Sequence, residues 1–217
     1  MSQLDSLVQL CQGHGVYIQT HNFPDPDAIA SAYGLQNLLS ARGIESTLCY
    51  DGQTDRLGSS KMLDLFQIRM LSYESLAPGM RETDRIIYVD AQKHSGNVTD
   101  FIGDEIACVD HHPTFVPVDY LYQDVRITGA CATLIAEYYK LSGTEPDSDT
   151  ATALLYGLKM DTLQFARGVT ELDIDMFRLL RRVDRVDDGR VGIRTGLHLR
   201  KTHSEQAPPA PPEWMAL

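Results

Sequence analysis

Apolar positions along this chain fall into two kinds of run. Short runs at Val16 to Thr20 (VYIQT), Ser46 to Tyr50, Arg85 to Asp90 (RIIYVD) and Glu105 to Asp110 (EIACVD) predict strands. Longer stretches with helical spacing cover Leu4 to Cys11, Asp27 to Arg42, a piece near Lys61 to Phe66, Gly129 to Leu141, Asp149 to Leu158 and Leu172 to Arg182. In the second of these, Ile29, Tyr33, Gln36, Leu38 and Leu39 mark one face, and Gly43 is a natural stop. RIIYVD and EIACVD are apolar almost throughout, the signature of strands buried on both faces. Such strands imply a parallel sheet with helices on each side. The alternation of strand and helix therefore predicts one α/β domain over residues 1–188, doubly wound around a mainly parallel sheet with helices on both faces. No internal repeat is visible.

Both apolar runs end in an acid, Asp90 and Asp110, at the sheet edge where open α/β folds bind ligands. One such Asp would read as a turn or cap. Several at one edge argue for a site.

Composition narrows the class. Of 217 residues, 43% are hydrophobic and 23% charged, which suits a globular chain and excludes general disorder or a collagen-like repeat. No apolar run approaches the roughly 18 residues of a membrane span, and MSQLDSLVQL lacks the pattern of a secretion signal. The net charge of −11 argues against a broad surface for duplex nucleic acid, but not against a site that takes phosphates beside metal ions. Cys11, Cys49, Cys108 and Cys131 form no C-x-x-C pair and sit in apolar runs, so they are expected as buried, reduced thiols of a cytoplasmic protein. Residues 189–217 differ: they carry net +2 and hold four of the ten prolines within APPAPPEW. They are expected as a flexible tail in which Pro208 to Pro211 is either a binding stretch or plain terminus.

The densest chemistry is His21-Asn22-Phe23-Pro24-Asp25-Pro26-Asp27, directly after a strand and at the start of a helix. An imidazole with two carboxylates suits borderline divalent cations such as Mn²⁺. The same residues taken alone also fit a helix-capping acidic loop. Asp90 follows, then Asp110-His111-His112-Pro113, then Asp161 in GLKMDT, which alone reads equally as a cap or a ligand. Arg167, six residues on, either contacts a phosphate oxygen or caps the turn at Ala166 to Gly168.

In this order the motifs THNFPDPDAIASA, IIYVDAQ, VDHHP, GACATLIAEYY and ALLYGLKMDTLQFARGVTELDIDMF resemble the DHH family of phosphoesterases over about residues 15 to 180. That family includes RecJ-type exonucleases, nanoRNA and pAp phosphatases, family II pyrophosphatases and exopolyphosphatases. The resemblance implies two divalent metal ions, usually manganese (Mn2+), with Mg²⁺ or Co²⁺ as substitutes. His21, Asp25 and Asp90 would hold one ion. Asp27, Asp90, His111 and Asp161 would hold the other, with Asp90 bridging. Asp110 would orient an imidazole, and His112 would face the substrate phosphate. Most relatives add a C-terminal substrate-binding domain, often with a glycine-rich GGGH-type motif, and no such motif follows residue 188 here. A natural short form and an altered reading frame are both open.

The expected function is Mn²⁺-dependent hydrolysis of a phosphate ester or phosphodiester by metal-activated water, with Asp90, His112, Asp110 and Arg167 as the residues nearest the chemistry. The substrate would be a phosphorylated small molecule or a short oligonucleotide. Pyrophosphate or polyphosphate hydrolysis is the alternative within the enzyme class. A non-catalytic metal- or nucleotide-binding module is the alternative outside it. A homodimer is left open.

Overall fold

The computed structural model describes residues 3–52 and 57–184. The tail expected at 189–217 lies outside the described residues. Six strands form one sheet: β1 (Val16–Gln19), β2 (Thr47–Tyr50), β3 (Met70–Ser72), β4 (Arg85–Val89), β5 (Asp104–Asp110) and β6 (Tyr122–Val125). Their spatial order is β3-β2-β1-β4-β5-β6, and every pairing is parallel. Among the described residues seven α-helices accompany them: α1 (Gln3–Cys11), α2 (Pro26–Ser40), α3 (Leu57–Phe66), the four-residue α4 (Tyr73–Leu76), α5 (Cys131–Ser142), α6 (Ser148–Asp161) and α7 (Glu171–Asp184).

The doubly wound α/β architecture read from the apolar runs is the observed one. Its helices lie on both faces, but unequally. Ile18, Leu48, Ile87, Val89 and Val109 point into a large core shared with α1, α2, α3, α5, α6 and α7. Cys49, Ile86, Tyr88 and Cys108 point the other way into a smaller cluster, closed by α4 and the chain around Ala91, Val98, Phe101 and Tyr120. The period of two along each strand produces this division.

Helix α2 is buried almost all round, from Asp27 through Leu39. It packs against the sheet and against α5 and α6. Gly34 and Gly157 permit the close approach, since a Cβ on Gly157 would lie 2.9 Å from Ala30 Cβ and 3.1 Å from Asp27 Cα.

The strand order reverses between β1 and β4. In this architecture the crevice beyond the C-terminal strand ends at that switch point is where ligands bind. The chain leaving β1 there carries His21, and the chain leaving β4 carries Asp90.

Candidate metal centre

Five chain segments meet at this edge. The first is the turn from β1 into α2. Asp25 is the N-cap of α2, its Oδ1 accepting from the backbone N–H of Asp27 (3.0 Å) and Ala28 (3.1 Å). Pro26 at the first helical position has no N–H to satisfy. The capping role and the ligand role are therefore compatible: the cap uses Oδ1 and leaves Oδ2. His21 lies one turn back, with Nδ1 2.8 Å from the Asn22 carbonyl. Donation by Nδ1–H there leaves Nε2 as the bare nitrogen. That atom is 4.0 Å from Asp25 Oδ1 and 3.7 Å from Asp90 Oδ2.

Asp90 directly follows β4 with φ +56°, a left-handed conformation that Asp tolerates better than most residues. It is buried, and its Oδ1 has no hydrogen-bond partner among the described residues. His111 Nε2 stands 3.4 Å from that atom, 3.8 Å from Asp27 Oδ2 and 3.5 Å from Asp161 Oδ2. Its other nitrogen, Nδ1, is 3.0 Å from the Thr128 carbonyl, which fixes the ring and the tautomer. Asp161 is the last residue of α6. Three groups of possible ligand atoms thus meet here: His21, Asp25 and Asp90; Asp27, His111 and Asp161; and Asp90, His111 and His112.

Asp27 is held hard. Its Oδ2 accepts from the Cys131 N–H (2.7 Å) and its Oδ1 from the Ala132 N–H (3.0 Å), the first turn of α5. A helix N-terminus stabilises a carboxylate. Even so, burial and then the neighbouring charge of Asp90 push the Asp27 carboxyl well above the ordinary range. Burial also raises the pKa of Asp90, against the pull of His111. Burial alone would lower the His111 pKa, but Asp90 and Asp27 raise it to about 10. Crowded buried carboxylates with imidazoles between them are a set of anionic donors short of positive charge, which divalent cations supply. The orphaned Oδ1 of Asp90, 3.4 Å from His111 Nε2 and 3.6 Å from His112 Nδ1, fits the same demand.

Asp110 sits behind this group. Its Oδ1 accepts from the His111 N–H (2.8 Å) and from His112 Nδ1 (2.9 Å), and its Oδ2 from Gln92 Nε2 (2.6 Å). Burial opposes ionisation of Asp110, yet the bonds from His112 and Gln92 hold its carboxyl below the usual value. The Asp110 bond in turn raises the His112 pKa. The His112 side chain is 56% exposed, its Nδ1 engaged by Asp110. Arg167 lies at the rim, its Nη2 donating to the Asp161 carbonyl at 3.3 Å. A cleft of about 270 Å³ beside Asp25, Asp27 and Asp161 is completed by Pro26, Gly58, Ser59 and Met160.

A model of the DHH family, N-terminal domain, matches residues 15–158. The chain belongs to the DHH family. Among curated relatives, the DHH chain is 32% identical over 159 residues to an uncharacterized protein of Methanocaldococcus jannaschii, covering 73% of this chain and 32% of that one. It is 27% identical over 151 residues to a probable manganese-dependent inorganic pyrophosphatase of Shouchella clausii, covering 67% of this chain and 47% of that one. The DHH chain thus spans between about a third and a half of these relatives. Among solved structures, an exopolyphosphatase-related protein from Bacteroides fragilis superposes with a TM-score of 0.66 at 18% identity, covering 94% of this chain and 61% of that one. This last likeness concerns the fold.

His21, Asp25, Asp27, Asp90, Asp110, His111, His112, Asp161 and Arg167 stand together at this one edge. Several partners were not singled out: Gln92, Thr128, the amides of Cys131 and Ala132, and Ser59. Gln92 follows Asp90 by two positions within IIYVDAQ, and that spacing was the available signal. Backbone partners leave no trace in side-chain identity.

Proposed function

We propose that this DHH chain is a manganese-dependent phosphohydrolase with two ion sites that share Asp90. His21, Asp25 and Asp90 would hold one ion, and Asp27, Asp90, His111 and Asp161 the other. The observation that carries this is the Asp90 carboxylate itself, buried and facing Nε2 of both His21 and His111 at 3.7 and 3.4 Å. Ions held there would neutralise phosphate charge and ease deprotonation of an attacking water.

The remaining steps belong to the chain. Asp110, pinned by Gln92, keeps Nδ1–H of His112 engaged, so that Nε2 points outward, and the same bond favours the protonated ring. His112 then donates a hydrogen bond to a phosphoryl oxygen as charge builds on it. Arg167 offers a planar guanidinium at the rim for a second phosphoryl oxygen. The phosphate enters beside Asp161 along the cleft that Gly58 and Ser59 border.

A small phosphoester or phosphodiester, such as a nucleotide or the end of a short oligonucleotide, is our first reading of the substrate. Inorganic pyrophosphate is the second, favoured by the name of the Shouchella clausii relative. We take the protein to be cytoplasmic, a reading supported by four buried cysteines that form no disulfide. The test is hydrolysis of bis-p-nitrophenyl phosphate, pAp, dinucleotides and pyrophosphate, each with Mn²⁺ and with chelator. Mn²⁺-dependent release of phosphate from pyrophosphate alone would select the second reading. Stoichiometric Mn²⁺ binding without turnover of any of them would make the chain a binding module and refute the enzyme reading.

A further inference from the structure

The proposed centre leans on a stretch of chain that contributes none of its ligands. Residues 128–133, between β6 and the first turn of α5, give the site three backbone contacts. The Thr128 carbonyl fixes His111 Nδ1, and the N–H groups of Cys131 and Ala132 fix the two oxygens of Asp27. What holds this stretch is a carboxylate from elsewhere. Asp173, in the first turn of α7, is fully buried. Its Oδ2 accepts from the Gly129 N–H (2.9 Å) and its Oδ1 from the Thr133 hydroxyl (2.5 Å). Its remaining bonds go to the N–H (2.6 Å) and hydroxyl (2.7 Å) of Thr170 at the start of its own helix. Among the described residues no cation pairs with it.

The two grips bracket Ala130 to Ala132. A Cβ on Gly129 would lie 2.8 Å from Asp173 Oδ2 and 2.7 Å from Thr162 Cγ2, so the approach requires glycine. Thr162 directly follows Asp161. The packing under Asp173 therefore touches the supports of Asp27, His111 and Asp161 together. It does not reach those of His21 and Asp25, which are a neighbouring carbonyl and the α2 N-terminus.

We infer that Asp173 is a positioning residue for one ion site and not the other: it sets the Asp27, His111 and Asp161 group through residues 128–133. The inference rests on the metal reading above. Partners that orient metal ligands are typically worth about 10–100-fold in metal affinity. Asp173→Ala should therefore bind one Mn²⁺ as the unaltered protein does and the second about 10–100-fold more weakly. By electron paramagnetic resonance, the spin-coupled pair should give way to the six-line signal of an isolated ion.

Asp173→Asn keeps a carbonyl for the Gly129 N–H, and its amide can donate to the Thr133 hydroxyl, so it should retain both ions. Thr133→Val removes one grip and should move in the direction of Asp173→Ala, which keeps the test alive should the alanine variant fail to fold by circular dichroism. A metal-free readout separates this inference from the functional one. In Asp173→Ala, amide hydrogen exchange at Cys131 and Ala132 should quicken about tenfold or more, the scale of one lost buried hydrogen bond, while α2 is unchanged. Unaltered protein that binds no Mn²⁺ would refute the metal reading, and the amide exchange would still decide the coupling. Equal loss of both ions, full retention of both in Asp173→Ala and Thr133→Val, or an asparagine variant as weak as the alanine one would each overturn the inference.

Discussion

Gly157→Ala should separate stability from metal affinity. The added methyl would stand 2.9 Å from Ala30 Cβ, 3.1 Å from Asp27 Cα and 3.1 Å from Asp27 Oδ1, where ordinary contact begins at 3.4 Å. Two of these three atoms are rigid parts of α2, so α2 and α6 must separate by several tenths of an ångström and the Asp27 carboxylate must move. Overpacking of this kind costs about 1–3 kcal/mol. Alanine in a helix interior returns about 1 kcal/mol relative to glycine. The net loss is then at most about 2 kcal/mol, which is at most about 8 °C in melting temperature for a domain of this size. The matched control is Gly34→Ala on the same helix pair, whose methyl would press on side-chain tips of Ile135 and Leu154 at 3.0 Å, away from the carboxylates. Thermal melts in chelator and Mn²⁺ titration calorimetry are run on both. Gly157→Ala should weaken one Mn²⁺ by about tenfold or more, as displaced ligand supports do, while Gly34→Ala leaves both ions at their original affinity. If both variants titrate like the unaltered protein, the Asp27 carboxylate is not a ligand and the two-site reasoning fails.

Three further outcomes follow from the same geometry. Asp90→Ala should lose both ions, as metal analysis of the purified variant will read, and two Mn²⁺ per chain would rule out a bridging role. His112→Ala should keep both ions and lose turnover by about 10²–10³, the effect of removing one transition-state donor, so loss of an ion there would make His112 a ligand instead. The folded-state pKa of His111 is raised from 6.5 to about 10, so an ion must displace a proton from Nε2 throughout the neutral range. Affinity of that ion should then rise with pH by about one log unit per pH unit from 7 and level off near 10, with a proton released in calorimetry, and a pH-independent affinity would contradict the assignment.

The central strands were legible because they are apolar on both faces. RIIYVD and EIACVD announce burial whatever surrounds them. The two strands not foreseen are the sheet edges. β3 is three residues with no buried side chain. β6 reads YQDV, and its buried Asp124 is tolerated only because Arg126 Nε, at 2.6 Å, and the Tyr138 hydroxyl, at 2.8 Å, bond it. Neither bond can be read along the chain. The site divides in the same way. His21, Asp25, Asp27, Asp90, Asp110, His111, His112 and Asp161 stood out by residue type and by position after apolar runs. Asp173 did not, because within ELDIDMF it reads as an ordinary acid in the first turn of a helix. Its reach to Gly129 and Thr133 exists only once α7 folds against α5.

The unequal cover of the sheet has a kinetic consequence. Among the described residues, one face is sealed by six helices, and the other by α4 and irregular chain after β4 and after β5. Thin cover over a small apolar cluster opens before a thick one. The segment that opens first begins at Ala91, immediately after Asp90, and carries Gln92, which holds Asp110 in place. In slow breathing of the native state, the His111 side of the cluster stays braced by α2, α5 and α6. The Gln92–Asp110–His112 chain loosens with the lightly covered half. The boundary between slow- and fast-exchanging backbone should thus run through Asp90, the carboxylate that both imidazoles face, and amide exchange at Val89 and Ala91 will read it.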